Sequence, residues 1–261
     1  MFYDMKNLDE LNIQIRACRR CRLSETRINA LCGEGNSSAR IMLVAQAPGE
    51  TEDREGVMFI GPSGRVLDEL LSNAGIGRSE IYITNLIKCM LPKYRKPKQD
   101  EIETCSQYLS REIELIQPEV IVPLGYYSTK YILGKYEVNL PKTRADFSEV
   151  YGKLFFSKNK KIYPLRHPAS LLYNDDFRGV MMNNYSKLKV LKTDCKWFPT
   201  CPMKRYWEVG ALDRKWIELY CRGDWDSCVR YHMEERGEYH PDWMLPDGSI
   251  DEGLRDGLEK R

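Results

Sequence analysis

Nine cysteines punctuate this chain, and eight of them fall into two sets of four. Cys18 and Cys21 form a C-x2-C pair, a spacing that lets two thiolates from one turn reach the same metal or cluster; Cys89 and Cys105 follow, fifteen residues apart. Four soft thiolates suit either zinc or an iron-sulfur cluster, and spacing alone does not choose. Cys195, Cys201, Cys221 and Cys228 make a second possible four-thiolate site. In a chain read as intracellular, such clustering argues for metal ligation rather than a disulfide framework. Cys32 is left over and is expected in the core.

A few other residues carry chemistry of a different kind. His167, in Arg166-His-Pro-Ala-Ser-Leu-Leu172, is one of three histidines; from a loop it can donate a hydrogen bond to developing negative charge. Asn85 closes Ile83-Thr-Asn, and its amide offers the donor-acceptor pair that reads a pyrimidine edge. Pro48-Gly49, within Ala45 to Asp53, makes a tight turn that lets backbone amides approach a ligand. Phe59 stands in Met58-Phe-Ile-Gly61. Singly, each has an ordinary reading as surface histidine, turn former or core aromatic.

The elements that must position these residues alternate. Ile41 to Ala45, Ile81 to Thr84, Val120 to Val122 and Ile162 to Leu165 are short apolar runs bounded by turn residues, as buried parallel strands are. Helical patterns run from Ser63 to Asn73, Gln99 to Ile116 and Tyr126 to Leu133. A three-layer, doubly wound α/β fold with a mostly parallel sheet follows. Ligands in such folds sit beyond the carboxyl ends of the strands, so Ala45 to Phe59, Asn85 to Lys98 and Arg166 to Tyr173 are expected to converge on one crevice. Lys135 to Asn159 is less regular and reads as a hairpin or loop.

The length, 261 residues with 42% hydrophobic, gives room for one sizeable domain and a smaller appendage. No apolar run approaches the roughly 18 residues of a membrane span, and Met1 to Glu10 lacks the order of a signal peptide, so an intracellular protein is expected. Residues 1–192 hold 29 basic and 23 acidic side chains, whereas 193–261 hold 11 and 15. A mildly basic body can dock on phosphate, though a merely soluble surface explains the excess equally well. All five tryptophans lie beyond Lys192, among the last four cysteines and at Trp243. The chain is therefore divided at 192 into a body and a small Cys/Trp-rich module, short enough to need a metal staple.

Taken together, these residues resemble the family 4 uracil-DNA glycosylases, an iron-sulfur group, over about residues 10–190. The family's G-E-[AG]-P-G turn and following acidic pair correspond to Ala45-Gln-Ala-Pro-Gly49 and Glu52-Asp53; its phenylalanine, its asparagine before the third cysteine and its late H-P-[AS] correspond to Phe59, Asn85 and His167-Pro-Ala169. The resemblance implies a monofunctional glycosylase that flips uracil from DNA, with Ala47 and Gly49 in the pocket wall. Phe59 stacks on the base, Asn85 meets its polar edge, Glu52 crowds a thymine methyl and His167 stabilises the departing anion. It also implies a [4Fe-4S] cluster on Cys18, Cys21, Cys89 and Cys105.

One departure bears on catalysis. Gln46 stands where the family has glutamate, and a neutral amide cannot position water or stabilise a sugar cation as a carboxylate does. Asp53 or Glu50 is the expected substitute; a protein that binds uracil-DNA with reduced turnover is the alternative. Lys88, Lys93, Arg95, Lys96 and Lys98 are candidate DNA-backbone contacts, and Leu172 a candidate wedge. Zinc and a second [4Fe-4S] cluster both fit the last four cysteines, with His232 and His240 as conceivable substitutes. The module is expected to cap the fold or dock a repair or replication protein, its end beyond Pro241 to form a wrap or tail, and the chain to act as a monomer.

Overall fold

The computed structural model describes residues 7–259; the opening residues of the amino-terminal stretch discussed above lie outside them. Strands β1 (Glu34–Gly35), β2 (Ile41–Ala45), β3 (Ile81–Asn85), β4 (Val120–Pro123), β5 (Phe155–Ser157) and β6 (Lys160–Ile162) form one sheet in the order β1-β3-β2-β4-β6-β5. β3, β2, β4 and β6 run parallel, and β1 and β5 close the edges antiparallel. Helices α1 (Leu8–Ala17), α2 (Glu50–Glu55), α3 (Pro62–Asn73), α4 (Gln99–Ile116), α5 (Tyr126–Lys135), α6 (Ser170–Tyr173) and α7 (Arg178–Leu191) interleave with them.

The layers follow from the strand period of two. In β2, Met42 and Val44 pack with Leu11 and Ile15 of α1, Leu109 and Ile113 of α4, and Ile132 and Leu133 of α5. Ile41, Leu43 and Ala45 pack instead with Leu67 and Leu70 of α3 and Tyr185 and Leu188 of α7. A strand apolar on both faces thus lies between two helical layers, the three-layer arrangement the sequence implies.

Two differences from expectation have local causes. The last strand starts two residues earlier than Ile162, at Lys160, and ends at Ile162 because Pro164 has no N–H to give the ladder. Tyr163 and Leu165 still donate to the carbonyls of Ile121 and Pro123, at 2.9 Å each. The irregular segment ends in a hairpin, β5 to β6, turning at Lys158 and Asn159, which both take positive φ.

The carboxy-terminal module contains α8 (Pro202–Glu208), α9 (Arg214–Trp216) running into a π-helical turn at Ile217–Cys221, α10 (Val229–Arg236) and α11 (Glu252–Glu259). Phe198, Met203, Tyr206, Leu212, Ile217, Leu245 and Leu254 make a core separate from the two beside the sheet. The end beyond Pro241 is no loose tail: Met244 bridges to Ile250, and Leu254 of α11 is buried. Among the described residues no helix is long and apolar enough to cross a membrane.

The module is joined to the amino ends of the parallel strands. Arg40, just before β2, pairs with Asp194 at 2.6 Å and with Glu119 at 3.1 Å. Lys161 of β6, 4% exposed in its side chain, meets Glu218 at 3.4 Å and donates to the carbonyl of Arg222. Lys187 of α7 pairs with Asp224 at 2.6 Å.

Candidate active site and cysteine centres

At the opposite end of the sheet, the segments leaving β2, β3 and β6 meet, as the strand polarity requires. The amides of Leu86 and Ile87 donate to the carbonyls of Ala45 and Gln46 at 2.8 and 2.9 Å, lacing two of these exits together. An open crevice of about 460 Å³ lies above, walled by Gln46, Ala47, Gly49, Glu52, His167 and Leu172 among others. Phe59 and Asn85 are 5% and 2% exposed and lie beneath this surface rather than on it.

His167 follows Arg166 directly after the last strand. Its Nδ1 accepts the amide N–H of Ala169 at 3.1 Å, which leaves the ring proton on Nε2. Burial pushes its pKa down to about 4, so the ring is neutral at pH 7. A neutral imidazole with one outward donor stabilises an anion by a hydrogen bond without needing a charge of its own. Gly125, at φ +80°, passes close: a Cβ there would stand 3.1 Å from that of His167.

The Phe59 ring stacks on the His167 ring with centroids 5.9 Å apart and planes 26° off parallel. Phe59 takes φ +52°, an unusual value for a residue with a side chain. Its turn is held by neighbours that were not singled out in the sequence: Arg78 donates to the carbonyls of Met58 at 3.2 Å and Phe59 at 2.7 Å, and Asp68 pairs with that guanidinium. Gly64 makes room below, where a Cβ would come within 1.7 Å of the Phe59 carbonyl oxygen. No local pattern announces Arg78, which lies nineteen residues from Phe59.

Asn85 donates to the Met58 sulfur at 3.2 Å, while its Oδ1 is buried without a hydrogen-bond partner. An orphaned acceptor of this kind is costly unless a ligand donor completes it. Glu52 accepts the Gly61 amide at 2.8 Å and is 6% exposed. Glu50 lies at the crevice mouth, accepting the Tyr94 hydroxyl at 2.9 Å.

Two expected site residues point elsewhere. Asp53 is 2% exposed, and its carboxylate accepts the amides of Ile28 and Asn29 at 2.9 and 3.2 Å; it fixes that loop and does not line the crevice, which corrects its expected catalytic part. Lys88 is 1% exposed, with its ammonium 2.6 Å from both Glu112 and the Thr84 hydroxyl, so it cannot touch DNA. Arg95 forms a two-bond pair with buried Glu101 but still lines the crevice. Lys93, Lys96 and Lys98 are exposed. Leu171 packs in the core and Leu172, 46% exposed, stands at the rim.

The family model described as "Uracil DNA glycosylase superfamily" matches residues 32–189. The type-4 uracil-DNA glycosylase of Sulfurisphaera tokodaii is 36% identical over 81% of this chain and 94% of its own length. This chain belongs to the uracil-DNA glycosylase superfamily, in its type-4 branch. The type-4 enzymes of Saccharolobus solfataricus and Archaeoglobus fulgidus are 40% and 35% identical, over 71% and 70% of the chain and 86% and 92% of their own lengths.

In this glycosylase Cys18 caps α1, Cys89 follows β3 and Cys105 sits on α4, and with Cys21 they line one small cavity. The donor set suits an iron-sulfur cluster. Arg27 donates to the Cys89 sulfur at 3.0 Å and the Lys88 amide to that of Cys105 at 3.2 Å, the polar contacts that stabilise anionic sulfur. Arg27 also donates to the Cys18 carbonyl at 2.6 Å, closing the loop around the set. The four carboxy-terminal cysteines line a second cavity at the far end of the molecule.

Proposed function

We propose that this glycosylase flips uracil out of DNA into the crevice below His167 and hydrolyses its N-glycosidic bond, leaving an abasic site. The observations that carry this reading are a neutral His167 on the crevice wall whose one ring donor is Nε2–H, and a buried Asn85 oxygen that lacks a partner. Uracil presents an N3–H donor to that oxygen and its O2 to His167. The C1′–N1 bonding pair departs with the base, and the imidazole donor stabilises the anion. Water adds its oxygen to C1′, and the proton it releases is made up on the uracil anion.

Phe59 supplies the stacking face, Glu52 the crowding that disfavours a 5-methyl group, and Ala47 and Gly49 the wall. Gln46 orients the base or water, and Glu50, at the crevice mouth, is the carboxylate that takes the place of the family's glutamate. Lys93, Lys96 and Lys98 contact the DNA backbone, and Leu172 fills the vacated stack. Cys18, Cys21, Cys89 and Cys105 hold a [4Fe-4S] cluster, which supplies covalent ties rather than chemistry on the substrate: Cys89 and Cys105 bracket the segment bearing those lysines. Residues 1–192 form the glycosylase unit and 193–261 a module with its own soft metal centre.

A single-turnover assay on a uracil-containing oligonucleotide tests the reading: free uracil and an alkali-labile site are expected. A stable complex with no base release establishes instead the uracil-DNA binder that Gln46 favours.

A further inference from the structure

The carboxy-terminal cysteines line a cavity other than the crevice, and they lie outside the span matched by the family model. We infer that Cys195, Cys201, Cys221 and Cys228 bind a second [4Fe-4S] cluster, at the foot of the sheet and remote from the DNA-binding end. The inference rests on reading this module as a metal-centred unit, and it decides which metal.

All four cysteines line one cavity of about 70 Å³, although they come from four separate places in the module. Cys195 follows α7, Cys201 caps α8, Cys221 ends the π-helical turn and Cys228 caps α10. The Cys195 amide donates to the Cys221 carbonyl at 2.7 Å, so two of the ligand backbones are bonded to each other. π-Helical turns of this kind recur at functional sites because they redirect a side chain without breaking the helix. Cys195, Cys221 and Cys228 are at most 9% exposed, and none is in a disulfide.

The surroundings suit a cluster. The Cys195 carbonyl accepts the Phe198 amide at 3.0 Å and the Cys228 carbonyl the His232 amide at 3.2 Å, so the backbone is turned and held at two of the four cysteines. Trp197, Phe198, Trp225 and Tyr231 surround the cavity with aromatic surface. Arg230 is 3% exposed and donates to the carbonyls of Pro241, Asp242 and Met244, which pins that segment beside the cavity and brings a buried cation to an anionic centre.

Zinc fits less well. Structural zinc sites draw paired ligands from C-x2-C to C-x4-C turns, whereas these pairs are C-x5-C and C-x6-C. One ion bound at about 2.3 Å by each sulfur draws the sulfurs to within about 4 Å of one another. The four cysteines here come instead from the end of a helix linker, two helix caps and a π-helical turn, not from two tight turns. A four-iron core binds each thiolate to a different corner and so accepts a wider cage. The module's two histidines already have partners, His232 the Asp226 carbonyl at 2.7 Å and His240, on the cavity wall, Glu234 at 3.0 Å.

The test is metal and sulfide analysis of full-length protein purified without oxygen, with Mössbauer spectroscopy to identify the iron. Wild type is expected to carry about eight irons and eight sulfides per chain, and Cys195→Ser/Cys221→Ser and Cys18→Ser/Cys21→Ser about half of each. Four irons and one zinc in wild type, with the zinc lost from Cys195→Ser/Cys221→Ser, overturns the inference. So does iron that this variant leaves unchanged. If the variant proves insoluble, wild-type stoichiometry still decides between the two metals. Failure of the amino-terminal cluster alone reads differently: Cys18→Ser/Cys21→Ser then changes nothing, while the carboxy-terminal variant loses all the iron.

Discussion

The Phe59 ring lies against the His167 ring, 5.9 Å between centroids, although 108 positions separate the two in the chain. The proposed base pocket thus has at one wall a histidine whose free ring nitrogen, Nε2, carries the proton. His167→Ala is expected to slow single-turnover uracil release by about a hundredfold or more, as loss of one donor to a developing anion does elsewhere. Binding of the uracil oligonucleotide should change far less; an unaltered rate rules out this role.

Acid should act on the fold through the same ring. An unfolded histidine takes up its proton near pH 6.5, whereas His167 resists until about 4. The unfolded state thus binds more protons in this window, so stability present above about pH 6.5 is lost as pH falls towards 4, by at most about 3 kcal/mol. Urea midpoints of wild type and His167→Asn should converge as the pH is lowered; parallel losses in the two proteins count against the assignment.

Lysines in one neighbourhood should behave in opposite ways. Lys88→Met strands the buried Glu112 carboxylate and is expected to cost about 3–5 kcal/mol of stability. Lys93→Ala and Lys96→Ala should leave stability nearly intact while each lowers the salt slope of DNA binding by about one. Denaturation curves and binding titrations at several salt concentrations distinguish the two classes.

Gln46→Glu introduces a carboxylate at the crevice wall. Uracil release is expected to rise about tenfold or more, provided that water activation limits the present rate. A slower variant would mean that the amide itself orients the base or the water.

Arg78→Ala removes two hydrogen bonds from the Phe59 turn, worth about 1.5–3 kcal/mol each at a charged donor. Weaker binding of uracil-DNA and slower release are expected, with partial rescue by Arg78→Lys. Unchanged kinetics with lowered thermal stability would confine Arg78 to a role in folding.

Much of this architecture was legible because it rests on short-range patterns. β2 reads as a buried strand from five apolar residues, and α4 has the bounds that its periodicity implies. The crevice was legible because strand polarity fixes which loops must meet. Asp53 and Lys88 were misread for a physical reason: each neighbours a residue of interest, Glu52 or Cys89, and consecutive residues point in different directions. Arg78 and Arg27 escaped notice because their partners lie far along the chain, where no spacing rule reaches.

Helix α7 touches both ends of the molecule. Its Tyr185 donates to the Arg166 carbonyl at 2.8 Å, immediately before His167, and two residues later its Lys187 holds Asp224 of the module. One helix thus ties the module to the histidine loop, though the module stands at the other pole of the sheet from the crevice. An extension fastened this way can tighten the whole domain while its sequence drifts without disturbing base recognition.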